Sequence, residues 1–186
     1  RVTIQFADGK PASRWVAPGQ WIPYGCSLAV PYRWGSSLRF ERREECLTVS
    51  IDGGPEQTAR ISVHNAGGLD ILSRELARGR GGFTVMCRPK ELSSLPPLPA
   101  GRDIALTVLS SLADFAPLAQ QHAVAALSLN GAKLTDLAPI ADFADLTSLR
   151  LNGWQDGETD LRPLSRLTKL TWLRLVSLPK VTDLSP

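Results

Sequence analysis

The chain has 186 residues, of which 43% are hydrophobic and 21% charged, and these values are typical of a globular protein rather than a disordered, collagen-like or coiled-coil one. Nowhere does it reach the run of about 18 apolar residues that a membrane-spanning helix needs. A formal net charge of +3 is too small to indicate nucleic-acid binding by itself.

The N-terminal region, 1–58, shows no repeat and is predicted to be rich in β-strands. Four segments have the composition of strands, namely RVTIQF, CSLAV, SLRFERR and CLTVSI. Turn residues separate them at Asp8-Gly9, Pro18-Gly19 and Asp52-Gly53-Gly54-Pro55. We therefore predict two parts: residues 1–58 as a β-rich cap or small N-terminal domain, and residues 59–186 as a second region.

Large aromatic side chains are frequent in the first region. They are Trp15, Trp21, Trp34, Tyr24 and Tyr32. Because large aromatic residues usually lie in cores, we favour the interpretation that they fill the cap. The alternative is an aromatic patch that binds carbohydrate or peptide.

The segment 68–82, GLDILSRELARGRGG, predicts an α-helix. Ile71, Leu72 and Leu76 have helical spacing, and Gly79 is placed to end the helix. The RGRGGF string that follows is read as a helix C-cap and turn, although such strings bind RNA when they are repeated and disordered.

Pairs of apolar residues separated by one residue recur from residue 61 to the end. They are Ile61/Val63, Phe83/Val85, Ile104/Leu106, Leu127/Leu129, Leu149/Leu151 and Leu173/Leu175. Their regular recurrence, at intervals of roughly two dozen positions, indicates an internal repeat. An aspartate followed three residues later by proline marks four of the repeats: Asp114/Pro117, Asp136/Pro139, Asp160/Pro163 and Asp183/Pro186.

Each repeat is predicted to contain one strand, one corner and one 3₁₀ return. After Asp160, apolar residues recur every third position, which suits 3₁₀ turns, and the following leucine pair alternates as a strand does. Aspartate is a good helix N-cap, and proline is tolerated in a first helical turn. Asn130-Gly131 and Asn152-Gly153 would suit hairpin turns, but we interpret them as corners because each leads toward a capped return.

The repeats resemble bacterial leucine-rich repeats of the internalin-like type. Units such as LTSLRLNG and LTKLTWLRL, followed by TDLAPI, TDLRPL and VTDLSP, carry the resemblance. It implies an α/β solenoid: a horseshoe of about six coils with a parallel concave sheet and a convex side of 3₁₀ or short helices. One feature of the family, an asparagine three residues after the strand leucine, is absent here.

The residue between the two leucines of each strand is expected to point away from the core, onto the concave face. This central column reads Ser62, Thr84, Ala105, Ser128, Arg150 and Arg174. With the flanking columns, the candidate partner-binding residues are Arg150, Arg174, Trp172, Asn130, Asn152 and His64. Arginine and tryptophan are typical interface anchors, although a solvated sheet face with incidental arginines would have the same sequence.

We predict no enzymatic activity, catalytic residue, cofactor or metal site. The sequence contains no Walker loop, HExxH, GxSxG or Cys/His motif. The cysteines, Cys26, Cys46 and Cys87, are odd in number and lack CxxC spacing, so we interpret them as small buried thiols. A Cys26–Cys46 disulfide is left open.

The resulting hypothesis is a non-catalytic protein-recognition module. The sequence starts with Arg1 and stops within a repeat, so we expect a piece of a longer bacterial protein, in contact with its other domains. The resemblance suggests a multidomain signalling or defence NTPase as parent. The expected partner is another protein rather than a nucleic acid. No membrane span is expected, and the oligomeric state is open. The cysteines and the lack of a signal segment favour the cytoplasm. The alternatives are an exported adhesion domain, at the cell surface or secreted, and an enzyme with its site in residues 1–58.

Overall fold

A computed structural model describes residues 2–5, 14–16, 25–28, 38–43, 45–51, 57–79, 81–110, 112, 114–130, 136–152 and 160–176. Side chains are described within these ranges from residue 45 onward, with the exception of residue 51. The predicted turns at Asp8-Gly9, Pro18-Gly19 and 52–55 lie outside the described residues.

The described residues form an α/β arrangement in which a few short helices accompany an open, mostly parallel β-sheet. The chain divides into two compact units, Arg1–Met86 and Cys87–Pro186. The predicted boundary between residues 58 and 59 rests on where the sequence repeat begins. It stays a prediction.

The first unit is rich in strands, and six of the seven strands described there begin within residues 1–58, the region that is predicted to be β-rich. The strands are β1 (Val2–Gln5), β2 (Arg14–Val16), β3 (Gly25–Leu28), β4 (Leu38–Arg43), β5 (Cys46–Ile51), β6 (Gln57–Val63) and β7 (Thr84–Cys87), the last of which ends at the unit boundary. β1 and β3 form an antiparallel pair. The remaining strands are ordered β7-β6-β5-β4-β2, and β2, β4, β5 and β6 pair antiparallel with their neighbours in that order.

Helix α1 (Ala66–Arg78) confirms the predicted helix and its end at Gly79. Asn65 caps its start, since its Oδ1 accepts a hydrogen bond from Gly68 N–H at 3.0 Å. Gly79 has a φ of 68°, the left-handed conformation that glycine adopts without strain. Gly68 also allows α1 to lie close to β6, because a Cβ atom there would stand 2.4 Å from the Ser62 carbonyl oxygen.

The second unit alternates parallel strands with short helices. Its elements are α2 (Pro89–Leu92), β8 (Ala105–Val108), a 3₁₀ helix (Ala116–Leu118), β9 (Ala126–Asn130), a 3₁₀ helix (Ala138–Asp142), β10 (Ser148–Asn152), a 3₁₀ helix (Arg162–Arg166) and β11 (Trp172–Val176). The strands are ordered β8-β9-β10-β11, and each pair is parallel. A hairpin at either Asn-Gly pair would make its flanking strands antiparallel, so the hairpin interpretation is wrong.

Leucines occupy matching positions on the four parallel strands. One row contains Leu106, Leu127, Leu149 and Leu173, and the next contains Val108, Leu129, Leu151 and Leu175. The rows are buried on β8, β9 and β10, whereas Leu173 at the edge is 44% exposed. Adjacent strands therefore bury their leucines against one another.

The predicted pair Ile104/Leu106 is displaced by two residues. Leu106 lies beside Leu127 and Val108 beside Leu129, so Leu106 and Val108 are the matching pair. Ile104, Leu106 and Val108 are all fully buried, and the alternation of three apolar residues conceals which two are in register.

Three of the four predicted Asp-x-x-Pro sequences start 3₁₀ helices, and these three helices are confirmed. The fourth sequence, Asp183/Pro186, lies outside the described residues. Asp136 Oδ1 accepts a hydrogen bond from Ala138 N–H at 2.7 Å. Asp114 and Asp160 accept equivalent bonds from the N–H groups of residues 116 and 162. Each aspartate lies one residue before the N-cap position, so it closes an Asx turn rather than capping the helix itself. The prolines fall in the first helical turn.

Threonines that directly precede β10 and β11 tie neighbouring strands together. Thr147 Oγ1 donates to the Ala125 carbonyl at 3.0 Å, and Thr171 Oγ1 donates to the Thr147 carbonyl at 3.1 Å. Each side-chain bond is parallel to a backbone bond from the same threonine to the same carbonyl. Hydrogen bonds of this kind hold equivalent positions of successive repeats at a fixed separation.

Candidate interaction surface

Strands β9, β10 and β11 present alternate residues on the side opposite the leucine rows. In β9 and β10 the leucines are buried and the residues between them are partly exposed, as expected when successive side chains point to opposite faces. We define the polar face as Ala126, Ser128, Asn130, Ser148, Arg150, Asn152, Trp172, Arg174 and Val176.

The strand register arranges the polar face in three rows. Ser128, Arg150 and Arg174 form the central row. The other two rows are Ala126–Ser148–Trp172 and Asn130–Asn152–Val176. On β8, Thr107 continues the central row and Ala105 lies beside Ala126, so the predicted placement of Ala105 in the central column is wrong.

Five of the six predicted binding residues thus occupy neighbouring positions on three adjacent strands. His64, the sixth, directly follows β6 in the first unit and is half-buried. The second unit alone brings together Arg150, Arg174 and Trp172 with Asn130 and Asn152.

Arg150 and Arg174 form a pair of like charges on neighbouring strands, whose spacing is about 4.8 Å. Arg150 is half-buried and Arg174 is exposed. Neither makes a hydrogen bond or ion pair with another residue in the described part of the chain. The nine residues of the polar face include no Asp or Glu, so no carboxylate within this set compensates the two positive charges.

Two basic residues outside this face provide a contrast. Arg162 donates from Nε and a terminal nitrogen to Asp160, and Lys169 Nζ lies 2.6 Å from Asp145 Oδ1. The hydrogen bonds from Arg162 also hold the pKa of the Asp160 carboxyl below its usual value. Arg162 and Lys169 are thus paired with carboxylates, whereas the two arginines of the polar face have no partner among the described residues.

Arg150 has an unsatisfied donor at its Nε. This atom is shielded from solvent and has no hydrogen-bond partner among the described residues. A buried N–H without an acceptor costs about 1–3 kcal/mol. An acceptor that reached this nitrogen would remove that cost.

Trp172 and the two asparagines add apolar surface and amide groups. Trp172 is 47% exposed, a large value for an aromatic side chain in a strand. Asn130 Nδ2 donates weakly to the Val108 carbonyl at 3.4 Å, and Asn152 lies beside Asn130 in register. The polar face thus combines charge, hydrogen-bonding groups and an aromatic ring, as protein interfaces do.

The sequence could indicate which residues share this face, but not their lack of partners. Asp145 lies five residues before Arg150 and Asp160 lies ten residues after it, and sequence distance alone does not reveal that both carboxylates pair with other cations. Only the positions of the side chains show that the described carboxylates do not pair with Arg150 or Arg174.

Cys87 is a buried thiol, as predicted, whereas Cys46 is only half-buried. Burial, and to a lesser extent the charge of Glu91, raises the pKa of Cys87 to about 12. The thiol is therefore protonated near neutral pH, and nothing about it suggests a nucleophile. The side chain of Cys26 lies outside the described residues, and so does any bond between Cys26 and Cys46.

The predicted aromatic cluster also lies outside the described side chains, at Trp15, Trp21, Trp34, Tyr24 and Tyr32. Within the described ranges, no group of three or more His, Cys, Asp and Glu side chains is arranged to hold a metal ion. None of the described helices has the length and apolarity needed to cross a membrane.

Comparisons of the chain with protein-family models, with curated proteins and with solved structures found no match.

Proposed function

We propose that this chain is a non-catalytic protein-recognition module built as a leucine-rich-repeat solenoid, with the polar face as its concave binding surface. Four parallel strands with aligned leucines and recurring 3₁₀ helices support the solenoid. The observation that carries the function is that Arg150, Arg174 and exposed Trp172 share one face, and that neither arginine has a partner among the described residues.

The family resemblance extends this proposal to the whole protein. The module would belong to a larger bacterial signalling or defence protein in the cytoplasm and would sense another protein. The parent's flanking sequence tests this context, because an upstream nucleotide-binding motif supports it and an export signal with a surface anchor contradicts it.

Binding by the polar face can be tested with a matched pair of variants. A protein captured by the full-length parent would be purified and its affinity measured for wild type, for Asn152→Ala/Trp172→Ser, and for Ser165→Ala/Arg166→Ala. The first variant truncates two residues of the polar face. The second truncates two exposed residues of a 3₁₀ helix in the same repeat region.

We expect at least about a tenfold loss of affinity for the first variant, since Trp truncation at an interface centre commonly costs this much, and less than about twofold for the second. Equal affinity of wild type and Asn152→Ala/Trp172→Ser, with unchanged circular dichroism, would refute binding through this face.

A further inference from the structure

We infer that the polar face recognises an acidic protein segment, and that Arg150 and Arg174 bind two neighbouring carboxylates of that segment. The inference rests on the proposed function, and it adds the chemistry of the partner. It is carried by the placement and the isolation of the two guanidinium groups.

The strand register places these two positive charges side by side. Like charges on adjacent strands repel each other, and no carboxylate of the polar face offsets that repulsion. An anionic ligand can interact with both positive charges at once. Two adjacent arginines therefore attract it more strongly than a single exposed arginine does. Guanidinium groups bind carboxylates through two parallel hydrogen bonds, which also orient the ligand.

Spacing favours a protein segment that presents two acidic side chains together. The strands that carry the arginines are about 4.8 Å apart. Acidic residues three or four positions apart on a helix are about 5–6 Å apart at their Cβ atoms. One such pair can therefore face both guanidinium groups at once.

The remainder of the face suits a peptide better than a nucleic acid. Nucleic-acid binding draws its affinity from many phosphate contacts, and this face offers only two cations. Trp172 and Val176 flank Arg174 with apolar surface, whereas Asn130 and Asn152 offer amides that pair with peptide groups. A partner with apolar side chains beside its carboxylates matches this distribution.

Hexaglutamate and hexaglutamine are suitable probes, because they have the same length and differ in charge. Each would be titrated into the full chain at low salt while the arginine Nε–H and tryptophan indole N–H resonances are followed by ¹⁵N NMR. The variant Arg150→Gln/Arg174→Gln removes both charges. Its control, Lys90→Gln/Arg166→Gln, removes two exposed charges of the same unit elsewhere.

We expect hexaglutamate to shift the resonances of Arg150, Arg174 and Trp172, and hexaglutamine to leave them unchanged. Affinity should fall at least about tenfold in Arg150→Gln/Arg174→Gln and less than about twofold in the control, since only the former loses close charge pairs. Equal shifts with both peptides, or no shift at millimolar hexaglutamate, would overturn the inference. Tighter binding of a decathymidylate or of inorganic phosphate at the same resonances would overturn it as well.

The captured partner separates this inference from the proposed function. If its binding survives Arg150→Gln/Arg174→Gln but is lost in Asn152→Ala/Trp172→Ser, the face binds a partner without needing acidic residues, and only the inference fails. If its binding survives Asn152→Ala/Trp172→Ser, the proposed function fails.

Discussion

Gln121 is a polar residue with no solvent exposure in the second unit. Its Oε1 accepts a hydrogen bond from Leu98 N–H at 3.1 Å, and its Nε2 donates to the Pro96 carbonyl at 3.3 Å. One side chain therefore satisfies backbone groups of a segment that has no regular strand partner. Burying the amide is tolerable because both of its ends are hydrogen-bonded.

Replacing Gln121 by alanine should lower the free energy of unfolding by about 2–4 kcal/mol. The substitution leaves Leu98 N–H without an acceptor and opens a cavity in a fully buried site. Urea denaturation followed by circular dichroism measures the change. Gln120→Ala is the control, since Gln120 is exposed and a change within about 0.5 kcal/mol is expected there. Equal urea midpoints for the two variants would show that the buried hydrogen bonds of Gln121 make no net contribution to stability.

At the scale of elements, strands β10 and β11 differ in what covers their leucines. Leu149 and Leu173 are in register, but Leu149 is fully buried and Leu173 is 44% exposed. Leu149→Ala should therefore cost about 2–5 kcal/mol of unfolding free energy, as expected for a buried leucine whose removal leaves a cavity.

Leu173→Ala should cost less than about 1 kcal/mol, because roughly half of its surface already faces solvent. The pair is matched in residue type, strand position and substitution, so thermal or urea denaturation reports the difference in burial alone. A cost for Leu173→Ala as large as that for Leu149→Ala would contradict the exposure of this edge of β11.

Elements with a local chemical signal could be predicted from the sequence. The 3₁₀ helices follow from Asp-x-x-Pro for two reasons. The aspartate accepts a hydrogen bond from the backbone N–H two residues later, and proline, which lacks an N–H group, is tolerated in the first turn. Helix α1 follows from its helical spacing and from Gly79. Both depend on residues that are close together in the sequence.

Features that depend on contacts between repeats could not be predicted in the same way. The register of β8 required knowing which two of Ile104, Leu106 and Val108 match the leucines of β9. The role of Gln121 gives no periodic signal, because its partners Leu98 and Pro96 belong to an earlier repeat. The clustering of five residues on the polar face could be predicted, whereas the lack of partners for its two arginines among the described residues could not.

At the scale of the whole molecule, the two units are organised differently. The first combines antiparallel strands β2, β4, β5 and β6 with helix α1. In the second, the parallel strands lie in the sheet in the order in which they follow one another along the chain. If the second unit is the solenoid that we propose, its stability is approximately a sum of terms for single repeats and for neighbouring repeats.

Double-mutant cycles test this additivity. Leu127 and Leu149 are register neighbours on adjacent strands, so Leu127→Ala and Leu149→Ala should show an interaction energy of about 0.5–3 kcal/mol. Leu106 and Leu151 lie on strands separated by β9, about 10 Å apart by strand spacing. Their alanine variants should add within about 0.5 kcal/mol. The energies come from urea denaturation of the four single and two double variants. Equal interaction energies for the two pairs would mean that the second unit shares one undivided core, and the proposed solenoid would then be wrong.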